Sequence, residues 1–201
     1  MAATTNNKSW SPLETYTNGS GEFAMVTSSG LSFSIKNTTN EMLVPRDIAH
    51  ALSLMCRANG HFVHFYSVAQ HSLNCYHEAV ARDLSKRIQL GCLLHDASEA
   101  YLGDLTRPVK AYLPDYVTMV DDLQEKIWLR FDLQNLSEDE RDHISEIDDV
   151  LLLHEFEALH LSGAWEELSP AKARFDFAFR SMGEVEREFL ETLQELESKH
   201  L

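Results

Sequence analysis

At 201 residues, with 44% hydrophobic and 24% charged residues, the chain has the composition of one globular domain and not of a disordered or fibrous protein. A formal charge of −15 excludes a dedicated duplex-binding face, which needs clustered Lys and Arg, but leaves small anionic substrates open. No run approaches the roughly 18 apolar residues of a membrane span and no charged-then-apolar leader opens the chain, so a cytoplasmic location is expected. Cys56, Cys75 and Cys92 lack Cys-x-x-Cys spacing and stand among apolar residues, as reduced core thiols do.

Residues 1–44 are rich in Ser, Thr, Asn and Gly, with short alternating pieces, "EFAMVTS" and "LSFSIKN". They read as an irregular arm or a small β-hairpin ahead of the main domain. From Pro45 the texture changes. "PRDIAHALSLMCR" sets Ile48, Leu52 and Met55 at helical spacing, with Pro45 near the start and Asn59-Gly60 as a stop.

After the loop "NGHFVHFY", a second helix carries Val68, Ser72, Cys75 and Ala79 on one face, with Ser67 as N-cap. "SKRIQLGCLLHDASEAYL" supplies a third, and "LTRPVKAYLPDY" a proline-punctuated connection. Val117, Val120, Leu123, Ile127 and Phe131 form the next amphipathic stripe. A capping box, Ser137 to Glu140, opens a long helix, and Val185, Phe189, Leu193 and Leu196 mark the last. The expected fold is all-α: residues 45–201 as one helical bundle preceded by the arm.

Ten positions, "HDASEAYLGD" (95–104), hold one histidine and three carboxylates beside apolar helix. A buried charge needs a partner, and a metal is one. His71, the adjacent His95 and Asp96, and Asp148 can converge from separate helices. Two imidazoles and two carboxylates suit borderline or hard divalent ions and leave coordination positions open. Neighbouring residues on a regular helix diverge by about 100 degrees, so His95 and Asp96 reach one ion only if the helix ends or bends there.

This series resembles the H…HD…D signature of the HD-domain metal-dependent phosphohydrolases over about residues 45–161, with "HDASEAYLGDLTRPVK" as its most specific stretch. It is most similar to the nucleotide-hydrolysing branch, which includes 5'-deoxynucleotidases and deoxynucleoside triphosphohydrolases. The resemblance implies His71, His95, Asp96 and Asp148 as ligands of a divalent ion (Mn, Co, Mg, Zn or Fe). It implies Glu99 as the acid that orients or deprotonates the attacking water, Asp104 as a second active-site acid, and Arg57 as the grip on phosphate. Lys110 adds a point charge for a further phosphate.

Relatives tend to carry Trp after that arginine, where this chain has Ala58. His61, His64, Phe65 and Tyr66 are candidates to replace its contacts, or are a loop packed over the core. The implied activity is removal of phosphate from deoxynucleoside 5'-phosphates. The alternatives are a triphosphohydrolase and a non-catalytic nucleotide-binding regulator, and a homodimer is the family expectation. His64 and His77 leave a second metal ion open.

Overall fold

The computed structural model describes residues 23–160 and 169–198. Most of the Ser/Thr/Asn-rich stretch read as an arm, residues 1–22, lies outside them. The described chain begins with a short antiparallel hairpin, β1 (Met25–Val26) and β2 (Ser32–Phe33), with Met25 opposite Phe33. The rest of the regular structure is helical: α1 (Pro45–Leu54), α2 (Val68–Ala81), α3 (Lys86–Leu94), α4 (Glu99–Leu102), α5 (Arg107–Lys110), α6 (Pro114–Arg130), α7 (Glu138–Leu159) and α8 (Met182–Ser198). No described helix is long and apolar enough to cross a membrane.

Local chemistry fixes the helix starts. Pro45 occupies the first turn of α1, where its missing N–H costs nothing. Ser67 accepts from Gln70 N–H at 3.1 Å, and Ser85 from Ile88 N–H at 3.3 Å. The capping box of α7 is reciprocal: Ser137 N–H donates to Glu140 Oε2 at 2.8 Å while Glu140 N–H donates to Ser137 Oγ at 3.2 Å.

The helices pack around one apolar cluster, α2 against α3, α1 against α8, and α7 across α2 and α3. All four stripe residues of α8 (Val185, Phe189, Leu193 and Leu196) are buried in it. The hairpin is tied to this core: Phe33 is fully buried and stacks on Tyr101 at 4.1 Å between centroids. Asp47 in the first turn of α1 accepts from Ser28 Oγ (2.6 Å), Ser29 N–H (2.8 Å) and Ser29 Oγ (2.7 Å) in the hairpin turn.

Residues 170–180 contain no regular element, yet four of their peptides are hydrogen-bonded by side chains of α2. Gln70, Asn74 and Glu78, successive turns along α2, bond the peptides of Lys172, Ala173, Asp176 and Ala178 as a neighbouring strand would. This strap lies along α2.

Candidate metal centre and its cavity

Two helix ends and one helix middle supply the site. The expected third helix does not run through the acidic cluster: α3 stops at Leu94, and tight turns lead to α4, with Ala97 N–H bonded to Leu94 O (3.0 Å) and Glu99 N–H to Asp96 O (3.0 Å). In such three-residue turns, side chains three apart eclipse. Asp96 and Glu99 therefore both line one cavity, and the end of the helix at Leu94 lets the adjacent His95 and Asp96 meet at 3.2 Å. Gly103, at φ 87, ends α4 in a conformation that L-residues rarely adopt.

His71 Nε2 lies 3.2 Å from His95 Nε2, 3.1 Å from Asp148 Oδ1 and 3.8 Å from Asp96 Oδ2. His95 Nε2 lies 3.2 Å from Asp96 Oδ2 and 3.7 Å from Asp148 Oδ1. Ligands about 2.1 Å from one ion stand roughly 3.0 to 3.4 Å apart in octahedral or tetrahedral arrangements, so the four atoms fit one ion after small adjustments.

Each imidazole uses its other nitrogen: His95 Nδ1 meets the carbonyl of Cys92 at 2.9 Å, and His71 Nδ1 meets Glu155 at 2.5 Å. Both pairings favour the proton on Nδ1 and the lone pair on Nε2, as metal-bound histidines require. Cys75 Sγ stands 3.5 Å from His71 Nε2, and the group His71, Cys75 and His95 has ligand atoms within 4.8 Å of one another. Burial, then the Asp148 charge, pushes the Cys75 thiol well above its ordinary value, so it favours the neutral form.

Beside Asp96 and Asp148 opens a cavity of about 290 Å³. Its ionisable lining is five carboxyl groups (Asp96, Glu99, Asp104, Asp148, Glu155) and three cations (Arg57, Arg107, Lys110). Phe62, Leu105, Leu152 and Phe156 give an apolar wall, with Phe62 and Phe156 edge to face at 5.4 Å.

Glu99 is 2% exposed: Lys110 Nζ holds its Oε1 at 3.1 Å, and its Oε2 is buried without a hydrogen-bond partner. Burial, helped by the charges of Asp96 and Asp104, pushes its carboxyl up to about 9. Asp104 is raised too, by burial and by Asp96, with Arg57 and Lys110 opposing. Burial pulls the His71 and His95 imidazoles down, but the facing carboxylates outweigh it and raise both.

Arg57 sits at the centre of the ion pairs: Nη1 to Asp96 Oδ2 at 3.2 Å, Nη2 to Glu155 Oε2 at 3.4 Å and to Asp148 Oδ1 at 3.8 Å. It follows α1 in a turn where Ala58, Asn59 and Gly60 all have positive φ (52, 50 and 77). A Cys56–Ser67 bridge closes that loop, and Val63 N–H bonds Leu159 O at 2.9 Å.

The structure thus gathers His71, His95, Asp96, Asp148, Glu99, Asp104, Arg57 and Lys110. His61 is not brought in: it is exposed, and its neighbour Phe62 takes the cavity wall. His77 faces Glu188 at 3.5 Å beside a different cavity, and His64 turns Nδ1 to Phe65 O.

Two residues escaped the sequence reading. Glu155 stands two turns after Asp148 on the same face of α7, and that spacing was its only signal. Arg107 reaches Asp148 Oδ2 at 2.9 Å and Asp149 Oδ1 at 2.6 Å from a segment read as a mere connection.

No protein-family model matches the chain. It is similar to "Uncharacterized protein YfdR" of Escherichia coli (strain K12), 37% identical over 107 residues, which cover 53% of this chain and 57% of that protein. It is also similar to an uncharacterized protein of Rhodobacter capsulatus, 44% identical over 93 residues, covering 43% of this chain and 47% of that one. The chain spans about half the length of these curated relatives.

Proposed function

We propose that this protein is a metal-dependent phosphohydrolase of the HD-domain type acting on nucleotides, removing phosphate from deoxynucleoside 5'-phosphates. One observation carries the reading: His71 Nε2, His95 Nε2, Asp96 Oδ2 and Asp148 Oδ1 converge, and Asp96 and Asp148 share a cavity with a buried carboxyl whose Oε2 has no hydrogen-bond partner, that of Glu99. A divalent ion held by those four residues would supply Lewis-acid polarisation of a phosphoryl oxygen and acidify a water.

The chain's own residues do the rest. Glu99 accepts the proton of the attacking water, and the chemistry needs its carboxyl ionised at that moment, a state that the Lys110 ammonium at 3.1 Å favours. Asp104, raised by burial, is suited to protonate the leaving oxygen. Arg57 is held by three carboxylates, which leaves guanidinium N–H groups for phosphate oxygens. The apolar wall of Phe62, Leu152 and Phe156 receives the nucleoside in place of the missing tryptophan.

The test is an assay of metal-stripped protein resupplied with Mn, Co, Mg, Zn or Fe against deoxy- and ribonucleoside mono- and triphosphates. Metal-dependent release of inorganic phosphate is expected. Glu99→Gln should keep the metal and lose about 10²- to 10⁴-fold in rate. Release of tripolyphosphate would move the reading to a triphosphohydrolase, and metal binding without turnover to a nucleotide-binding regulator. A chain that binds no divalent ion would overturn it.

A further inference from the structure

The two carboxylate oxygens of Asp148 have different partners. Oδ1 faces the histidines, 3.1 Å from His71 Nε2 and 3.7 Å from His95 Nε2. Oδ2 accepts a hydrogen bond from Arg107 Nη2 at 2.9 Å. The last torsion of an aspartate is broad and roughly two-fold, so an unheld side chain offers an ion either oxygen, or both at once. With Oδ2 taken by Arg107, Asp148 offers Oδ1.

Arg107 has an anchor of its own away from the histidines. The same Nη2 lies 2.6 Å from Oδ1 of Asp149, which is 55% exposed and stands outside the cavity wall. One exposed ion pair contributes little to order, but a nitrogen shared by two carboxylates on consecutive residues is held from two sides. The other end of α5 is tied down as well. Lys110, one turn along on the same face, bonds Glu99 Oε1 at 3.1 Å. A helix of four residues has little stability alone, so the place of α5 beside the cavity depends on these ion pairs and on its packing against α6. It braces α7 to α4, the helices that carry Asp148 and Glu99.

We propose that Arg107 is a positioning residue for the centre: by occupying Oδ2 of Asp148 it fixes that side chain as a one-oxygen ligand with Oδ1 turned to His71 and His95. The proposal rests on reading the centre as a metal site. It needs neither a particular substrate nor turnover.

The experiment measures Mn²⁺ affinity of the full chain by calorimetry, with helical content by circular dichroism on the same samples. The Arg107 side chain is 60% exposed, so Arg107→Ala leaves no buried gap. Loss of a group that orients a ligand weakens metal binding by about 10- to 100-fold, and that loss is expected here. Charge alone predicts the opposite sign, because taking a cation from beside a divalent ion tightens its binding. Arg107→Lys keeps a charged nitrogen with donors enough for both carboxylates and should recover part of the loss. Arg46→Ala, at an exposed arginine in the first turn of α1, makes the same change in net charge and should bind as the unaltered chain does.

If the unaltered chain binds no Mn²⁺, the metal reading has failed and the proposal falls with it. If it binds, and Arg107→Ala binds within twofold of it or more tightly, Arg107 does not position Asp148 while the metal reading stands. Should Arg107→Ala lose helical content, Arg107→Met, which keeps the aliphatic stem, decides by the same criterion.

Discussion

Gly91 on α3 lies against Ile144 on α7 with no room between them for a β-carbon. Each stands one helical turn before a candidate ligand, Gly91 before His95 and Ile144 before Asp148. Their close approach therefore sets the spacing of two helices that supply three of the four converging atoms. Gly91→Ala should cost about 1 to 3 kcal/mol through overpacking and should loosen metal binding with it. Adding Ile144→Val removes the nearest obstructing methyl, so the double variant should recover part of both losses. A double-mutant cycle on urea midpoints reads the coupling, and purely additive losses would mean the two helices move apart freely.

If the centre holds a divalent ion, as proposed, removing it should be visible in stability as well as in activity. The four candidate ligand atoms come together only in the folded chain, so a divalent ion held by them would favour the folded state. At a free metal concentration a hundred times Kd, the gain is about 2.7 kcal/mol, or roughly 5 to 10 °C in melting temperature for a chain of this size. Chelator should lower the melting point by that amount, and Asp148→Asn should abolish the difference between chelated and metal-supplied samples.

Much of this was legible because it follows from local rules. Pro45, Ser67 and Ser137 marked helix starts where the structure has them, and the α8 stripe was readable from apolar spacing alone. The need for a break at His95-Asp96 also followed from helix geometry, and α3 ends at Leu94. What was hidden depends on tertiary partners. Glu155 sits in "LLLHEFEAL" beside Glu157, with nothing in the sequence to set it apart, and its pairing with His71 and Arg57 accounts for its complete burial. His61 and Phe62 are adjacent, and which of them meets the cavity is set by the loop closure at Cys56 and Ser67. The strap has no periodicity because its backbone bonds go to side chains of α2.

Ala58 carries a local cost that a single substitution can relieve. At φ 52 and ψ 34 its β-carbon is crowded against the backbone, a penalty of about 1 to 2 kcal/mol that glycine avoids. Glycine gives part of this back through the greater freedom of the unfolded chain. Ala58→Gly should therefore raise stability by about 0.5 to 1 kcal/mol. Because the loop is also pinned at Val63 and Arg57, metal affinity should not change. A fall in the melting point would mean that the turn is not left-handed in solution.

Two acids outside the centre should make the hairpin and the strap the first parts to loosen in acid. Burial pushes the Asp47 carboxyl up, but bonds from Ser28 and Ser29 outweigh it and hold the folded value below the ordinary 3.8. Burial likewise raises Glu78, and the Ala173 N–H, Arg82 and the Lys172 N–H bring it below 4.5. Both folded values are depressed, so the stability they contribute is fully present above those ordinary values and is lost as the pH falls through the lower folded ones.

The window opens near pH 4.5 for Glu78 and near 3.8 for Asp47 and extends downward. Amide exchange, corrected for its intrinsic pH dependence, should lose protection at Lys172 and Ala173 first and at Ser29 next, while α2 and α8 stay protected. Asp47→Asn should bring the loss at Ser29 to neutral pH at a cost of about 1 to 3 kcal/mol, the range for hydrogen bonds to a charged acceptor. It should leave the strap untouched, because Glu78 binds that segment from a different helix.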